Sequence, residues 1–197
     1  DVDASVGGKT AVNHSSGKNL IGAFHQPILV CIDTDCLVTL DRRDFHSGLA
    51  ESVKHAVIRD PAFFTWHETH VADILLQRTE TLRELIRRNC ANKAAVVVAD
   101  ERETDEHGVG RAALNFGHTI GHAIEAQLHY RLRHGEAVAL GMVAAMDLAV
   151  RHTGFAEAER QRVESLLAAL GLPVRAAEPL NTADLLARLG MDKKVRN

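Results

Sequence analysis

The chain has 197 residues, of which 46% are hydrophobic and 25% are charged. This composition is that of a globular protein with one large domain or two small ones. The formal net charge of -3 argues against a general nucleic-acid or membrane-surface binder, because such proteins usually carry a basic excess. No segment has the run of about 18 apolar residues that a membrane span needs. We therefore expect a chain that binds neither nucleic acid nor membrane.

Three cysteines, Cys31, Cys36 and Cys90, form no C-x-x-C pair, so the sequence indicates neither a disulfide framework nor a cysteine zinc site. The first residues, DVDASVGGKT, lack the basic and apolar regions of a signal peptide. We therefore expect a reducing, cytoplasmic setting. Twelve histidines are unusual and raise the question of a metal or acid–base site.

Residues 1–40 are typical of strand and loop, with β-branched-rich runs at TAVNH (10–14) and ILVCID (28–33). Helical patterns follow. They predict helices over 46–59, from about 80 onward, and over 117–129, 135–152, 157–170 and 181–189. We expect an α+β chain: a small β-rich N-terminal segment, residues 1–43, followed by a predominantly α-helical, metal-binding domain, residues 44–197.

Lys93 lies in an unexpected place in the long helix that begins near residue 80. It falls seven residues after Ile86, and so on the apolar stripe that Leu82, Leu85 and Ile86 mark. A lysine on a buried face is costly unless an anion meets it. The pattern therefore predicts an anionic partner or ligand for Lys93.

The GGKT segment at 7–10 resembles a phosphate-binding loop, but Asp3 stands where the P-loop pattern needs its first glycine. A nucleoside triphosphatase is therefore not indicated. Two interpretations remain open, a glycine-rich turn that presents Lys9 to an anion and a hairpin turn with a solvated lysine.

The segment NFGHTIGHAIE places His118 and His122 one turn apart on one helical face, a spacing used for two metal ligands or for a ligand and a base. It is not a zincin motif, because Thr119 follows the first histidine. Gly117 and Gly121 suit the close approach of a ligand or of a second backbone. His134 opens the next helix and could supply a third imidazole.

Glu51 and Lys54 lie on one face of the first predicted helix. They are either a solvated ion pair or a metal ligand beside an anion contact. Two histidines and one carboxylate are a common catalytic zinc set. If Lys93 and Arg111 converge on the same place, the pocket would select a small anionic substrate.

Together these segments resemble the 3-dehydroquinate synthase family, over nearly the whole chain and in order. The matching blocks are DASVGGKTAVNH, GKN and IGAFHQP at 3–27, GLAE and VKH at 48–55, K, VV and DERE at 93–103, R and LNFGHTIGHAIE at 111–125, HGEAVALGM at 134–142, and MDKK at 191–194. The resemblance implies conversion of 3-deoxy-D-arabino-heptulosonate 7-phosphate to 3-dehydroquinate and phosphate, with NAD and one divalent metal, zinc or cobalt. It also implies a homodimer with a small anionic sugar-phosphate substrate.

The resemblance implies site residues position by position. The metal ligands would be Glu51, His118 and His134. The catalytic pocket would hold Lys54, Lys93, Arg111, Asn115 and His122. The cofactor would contact Asp3, Lys9, Lys18, Cys36, Leu37, Val38 and Thr39. The substrate would also contact Asn19 and a late lysine, Lys193 or Lys194, of which we take Lys194 as the candidate.

One departure from the family pattern is large: the sequence has no glycine-rich strand–turn–helix unit for a nucleotide. With Asp1 in place of a starting Met, this leads us to expect a fragment that lacks the NAD half. Two alternatives stay open. The chain could belong to another sugar-phosphate cyclase or, more distantly, resemble iron-dependent alcohol dehydrogenases. It could also be a helical metal-binding or dimerisation piece that is inactive alone.

Overall fold

The structure, a computed structural model, describes residues 2–14, 17–99 and 111–191. In these ranges two strands form an antiparallel hairpin and seven α-helices build most of the rest. The expected α+β class, with a small β-rich N-terminal segment and a helical remainder, is confirmed. None of the described helices is both long and apolar enough to cross a bilayer.

The hairpin consists of β1 (Lys9–His14) and β2 (Gly17–Phe24). Its register pairs Lys9 with Phe24 and Val12 with Ile21, and it shifts before His14. The run TAVNH is therefore a strand, as predicted. The GGKT segment forms the turn before β1 and the first two residues of that strand, where Lys9 is exposed.

The predicted strand over residues 28–33 is wrong. That segment is irregular and leads into a short 3-10 helix, Thr34–Thr39. A strand needs a neighbouring edge to pair with, and the part of the chain that the structure describes has no third strand. Ile28 and Leu29 are largely exposed instead of being covered by a sheet.

The first two helices share one aspartate as a boundary. Helix α1 (Arg42–Arg59) begins earlier than the predicted residue 46, because the Asp41 carboxylate caps it and accepts a backbone N–H at 2.8 Å. Asp60 ends α1 and also caps α2 (Pro61–Leu75), whose first position suits proline.

Five further helices follow close to their predicted positions. They are α3 (Thr79–Ala99), α4 (His118–Gln127), α5 (His134–Thr153), α6 (Glu157–Ala169) and α7 (Thr182–Met191). Helices α1, α2, α3, α5 and α6 enclose the main core, where Leu49, Val53, Phe63, Leu85 and Met142 are fully buried. A smaller cluster, Ile124, Leu128 and Leu140, joins α4 to α5.

Helices α4 and α5 approach each other so closely that glycine is required between them. A Cβ atom on Gly141 would lie 2.0 Å from the backbone oxygen of Gly117, and one on Gly121 would lie 2.8 Å from that of Ala137. Gly117 also has a positive φ of 77° at the start of α4. Of the two uses considered for Gly117 and Gly121, the structure shows the approach of a second backbone.

Helix α5 also crosses α1 at a glycine. A Cβ atom on Gly135 would lie 1.8 Å from the backbone oxygen of Ser47. The Gly135 N–H donates to Ser47 Oγ at 2.9 Å, and the Arg43 guanidinium holds Glu136 through two bonds of 2.6 and 2.7 Å. The start of α5 is therefore fixed against α1.

We expect Gly141→Ala to lower the free energy of unfolding by about 3 kcal/mol, because the new methyl group would overlap backbone that cannot move aside. Urea denaturation measures this change. Gly190→Ala is the matched control, because a Cβ atom there meets nothing within 4 Å in a helical position. It should be neutral or stabilising by up to about 1 kcal/mol. Equal effects of the two substitutions would contradict the close packing of α4 on α5.

Candidate metal centre and active site

The candidate site is built around the carboxylate of Glu51, which α1 places in the interior with a side chain only 6% exposed. One of its oxygens, Oε2, pairs with the ammonium group of Lys54 one turn further along the helix. The other, Oε1, lies 3.2 Å from Nε2 of His118 and 3.3 Å from Nε2 of His134. The solvated ion pair considered from the sequence is therefore excluded for Glu51 and Lys54.

Three imidazoles surround this carboxylate. His118 and His122 lie one turn apart on α4, and His134 is the first residue of α5. Each offers a ring nitrogen, and these nitrogens lie within 4.8 Å of one another. Imidazole nitrogens and a carboxylate oxygen are the ligands that Zn²⁺ and similar metals prefer. The donor set therefore fits a divalent metal.

The charged side chains of this cluster shift one another's pKa values. Burial alone would raise the pKa of Glu51, but hydrogen bonds from His118 and His134 and the nearby Lys54 charge hold it well below its usual range. Hydrogen bonding to Glu125, and then to Glu51, raises the pKa of His134 to about 9. A metal and a proton would compete for this ring, since a ligating imidazole must be neutral.

Glu125 is a site residue that the sequence analysis missed. It is buried in α4, and its Oε2 atom lies 3.9 Å from Nδ1 of His134. A carboxylate behind a histidine often orients a metal-ligating ring. A signal was present, because Glu125 follows His118 by seven residues and therefore lies on the same helical face.

The anion predicted for Lys93 is the carboxylate of Asp3. Lys93 Nζ lies 3.0 Å from Oδ2 of Asp3 and donates to its backbone oxygen at 2.5 Å. Burial raises the pKa of Asp3, but its contact with His55 and the Lys93 charge outweigh it and lower the pKa to about 2. The Glu51 charge also acts on Asp3, so the two charged groups are electrostatic neighbours.

The structure therefore brings together two groups of predicted residues. The first is the metal cluster with Lys54 and His122, and the second is Lys93 with Asp3. Asn115 is half-buried in a short 3-10 helix, Arg111–Asn115, directly before α4. That 3-10 helix lies against α1 and α3.

The predicted cofactor contacts are more dispersed. Cys36, Val38 and Thr39 are exposed on the 3-10 helix that precedes α1, while Leu37 packs against the main core. Lys9 is exposed on the hairpin. Four other predicted site residues lie outside the part of the chain that the structure describes: the side chains of Lys18, Asn19 and Arg111, and the whole of Lys194.

A buried chain of hydrogen bonds runs through α1, α2 and α3 behind the site. His67 donates from Nδ1 to the Phe63 carbonyl at 2.8 Å, so its Nε2 accepts from the Ser52 hydroxyl at 2.8 Å. Asn89 donates to Ser52 Oγ at 2.7 Å, and its own oxygen lies 2.9 Å from Nδ1 of His55. His55 then faces Asp3. None of these four side chains was singled out from the sequence.

Two family models match the chain. The model described as 3-dehydroquinate synthase N-terminal matches residues 1–47, and the one described as 3-dehydroquinate synthase C-terminal matches residues 48–195. Among curated relatives, the 3-dehydroquinate synthase of Nitrosococcus oceani is 52% identical over 195 residues, which cover 98% of this chain and 53% of the relative. That of Acidithiobacillus ferrooxidans is 50% identical, with 98% and 52% covered. The chain thus spans about half the length of the curated relatives it matches.

Solved structures of related cyclases have the same fold. A 2-epi-5-epi-valiolone synthase from Streptomyces hygroscopicus, with NAD+ and Zn2+ bound, is 30% identical with a TM-score of 0.85, over 96% of this chain and 52% of that one. A 2-deoxy-scyllo-inosose synthase complexed with carbaglucose-6-phosphate, NAD+ and Co2+ is 29% identical with a TM-score of 0.83, over 98% and 52%.

Stability should fall in mild acid because of His67. Burial lowers the pKa of this ring to about 4, whereas an unfolded histidine titrates near pH 6.5. Between these values the unfolded chain takes up a proton that the folded chain does not. The stabilisation is therefore complete above about pH 6.5 and is lost as the pH falls towards 4. We expect a loss of about 2 kcal/mol between pH 7 and pH 5 from this group.

Urea denaturation followed by the fluorescence of Trp66, the single tryptophan, measures this loss. His67→Gln removes the titration while keeping an amide that can bond to Ser52. It should be less stable at pH 7 but should show a shallower decline between pH 7 and pH 5. Parallel pH dependences of the two proteins would contradict the assignment to His67.

Proposed function

Because the chain belongs to the 3-dehydroquinate synthase family, we propose that the protein carrying it converts 3-deoxy-D-arabino-heptulosonate 7-phosphate to 3-dehydroquinate and phosphate. This is a lyase reaction of the shikimate pathway, which leads to chorismate and the aromatic amino acids. The observation that carries the proposal is the meeting of the buried Glu51 and Lys54 with three histidines in one cluster. The curated 3-dehydroquinate synthases that are 50% and 52% identical to this chain support the proposal.

We propose Glu51, His118 and His134 as the ligands of one divalent metal, zinc or cobalt. The distances of Glu51 Oε1 to both rings support this set, because one ion between the three atoms would replace the two contacts. The bound Zn2+ and Co2+ of the two related cyclases support the metal class. His122 lies one turn from His118 in the same cluster, and we assign it to proton handling.

NAD is the proposed second cofactor, supported by its presence in both related cyclases. Asp3, Lys9, Lys18 and residues 36–39 are its proposed contacts. When bound, the metal supplies a Lewis acid for the substrate hydroxyl that is oxidised, and NAD supplies the hydride acceptor. The Asp3 carboxylate is buried against Lys93, so its proposed place is where the cofactor and substrate sites meet.

The remaining residues act on charge and protons. Lys54, Lys93 and Arg111 provide cationic groups for the phosphate and carboxylate of the substrate, and Asn115, Asn19 and Lys194 add polar contacts. His122 lies beside His118, with ring centroids 5.4 Å apart, and would move a proton near the departing phosphate. Holding one flexible substrate in a fixed geometry would account for much of the rate.

Three further parts of the proposal rest on family membership. The protein would act as a homodimer, in the cytoplasm, and residues 1–43 would be the end of its nucleotide-binding half, with 44–197 forming the metal- and substrate-binding half. Light scattering after size-exclusion chromatography would test the dimer.

The activity is tested by phosphate release from the heptulosonate phosphate by the full-length protein. Release should require both NAD and a divalent metal, and mass spectrometry should identify 3-dehydroquinate. Sedoheptulose 7-phosphate and glucose 6-phosphate serve as comparison substrates for other cyclases. Turnover of either one in preference to the heptulosonate would contradict the proposed substrate.

The ligand set is tested by metal content. Glu51→Gln and His118→Ala should reduce bound zinc from about one equivalent to well below half an equivalent, because each removes a ligand. His122→Ala is the matched variant from the same helix face, and it should keep the metal while losing turnover. Inductively coupled plasma mass spectrometry of the dialysed proteins gives the stoichiometry. Loss of zinc in His122→Ala with retention in Glu51→Gln would indicate an all-histidine site instead.

A further inference from the structure

We propose that His55 is a positioning residue that holds Asp3 in place, so that Asp3 in turn aims the ammonium group of Lys93 at the anionic substrate. The inference rests on the proposed function for the role of Lys93. It assigns a task to a fully buried histidine that neither the metal cluster nor the predicted substrate contacts use.

The orientation of His55 follows from its neighbour Asn89. The amide nitrogen of Asn89 donates to Ser52 Oγ at 2.7 Å and to the Leu85 carbonyl at 2.8 Å. Its oxygen is therefore the atom that faces Nδ1 of His55 at 2.9 Å. An amide oxygen can only accept, so Nδ1 carries a proton and donates it. The ring is thereby locked in one orientation.

The locked ring directs its other nitrogen at Asp3. Nε2 of His55 lies 3.2 Å from Oδ2 of Asp3, and the side chain is 1% exposed. The alignment is too poor for a hydrogen bond, and this nitrogen has no other hydrogen-bond partner among the described residues. The contact is attractive with Nε2 protonated as well as Nδ1, which makes the ring a cation opposite the buried carboxylate. His55 Nε2 therefore acts on the Asp3 carboxylate.

Asp3 transmits this constraint to Lys93. The same Oδ2 atom lies 3.0 Å from Lys93 Nζ, and the backbone oxygen of Asp3 accepts a second bond from it. An ammonium group has three protons, so two directions are occupied and the third is fixed. The Lys93 side chain keeps 14% exposure, which leaves this third direction open to a ligand.

Helix α3 carries two of the residues in this chain of contacts. Asn89 and Lys93 lie one turn apart on it, so the residue that orients His55 and the residue that Asp3 aims share one rigid support. Asp3, by contrast, lies in the irregular segment before β1. His55 is thus the contact from α1 that holds the Asp3 carboxylate against α3.

Two substitutions at position 55 distinguish the contact that Nε2 makes with Asp3 from the contact that Nδ1 makes with Asn89. The amide nitrogen of His55→Gln can take the place of Nε2 and keep the contact with Asp3. The amide of His55→Asn can reach only the place of Nδ1, so it keeps the Asn89 contact and loses Asp3. In the full-length protein, we expect His55→Asn to raise the KM for the heptulosonate phosphate about tenfold or more, with a smaller change in kcat. His55→Gln should restore KM to within about threefold of the original.

A second measurement does not depend on turnover. Brief acetylation with an N-hydroxysuccinimide ester, read by mass spectrometry of peptides, reports how freely each lysine reacts. Lys93 should react several-fold faster in His55→Asn than in the original protein or in His55→Gln. If the protein fails to turn over the heptulosonate phosphate, the proposed function fails while this measurement still decides the contact between His55, Asp3 and Lys93.

His67→Gln is the control for a merely structural effect, because His67 is equally buried but does not touch Asp3. It should lower the unfolding midpoint while leaving both KM and Lys93 labelling unchanged. If His55→Asn does not fold, Asp3→Asn should reproduce the rise in KM and the faster labelling of Lys93. Equal KM and labelling in His55→Asn and His55→Gln, or no change in Asp3→Asn, would overturn the proposal.

Discussion

A buried carboxylate is the constraint on which the rest of the structure depends. Glu51 lies on the buried face of α1. A charged group there lowers the stability of the fold strongly unless opposite charge and hydrogen bonds surround it. Lys54 supplies one partner from the same helix, but the other oxygen needs donors from α4 and α5. The glycines that let α4 and α5 pack backbone to backbone are therefore part of the site as much as of the core.

The helical layout could be predicted from the sequence because it depends on local signals. Periodic apolar residues, Asp60 with its following proline, and the glycines near residue 117 all act within a few turns. The strand over 28–33 could not be judged in this way, because β-branched residues make a strand only where another edge is available. Whether such an edge exists is decided by residues far along the chain.

The sequence predicted which types of residue form the site, but it predicted less well which of them contact one another. The position of Lys93 on an apolar stripe indicated an anion, but the anion is Asp3, 90 residues earlier, which had been given to the cofactor. Periodicity reports which face a residue occupies and says nothing about what meets that face. His55 and Asn89 were missed for the same reason, because a polar residue inside a helix usually faces solvent.

His118 and His134 are each the first residue of a helix. The amino ends of α4 and α5 therefore converge on one place, and each contributes the partial positive charge of a helix start. In a chain with a net charge of -3, these helix starts are a local source of positive charge. A ligand rich in negative charge would be drawn towards the cleft and a cationic one turned away, so selection by charge would begin during diffusion, before any side chain makes contact, and would weaken as salt is added.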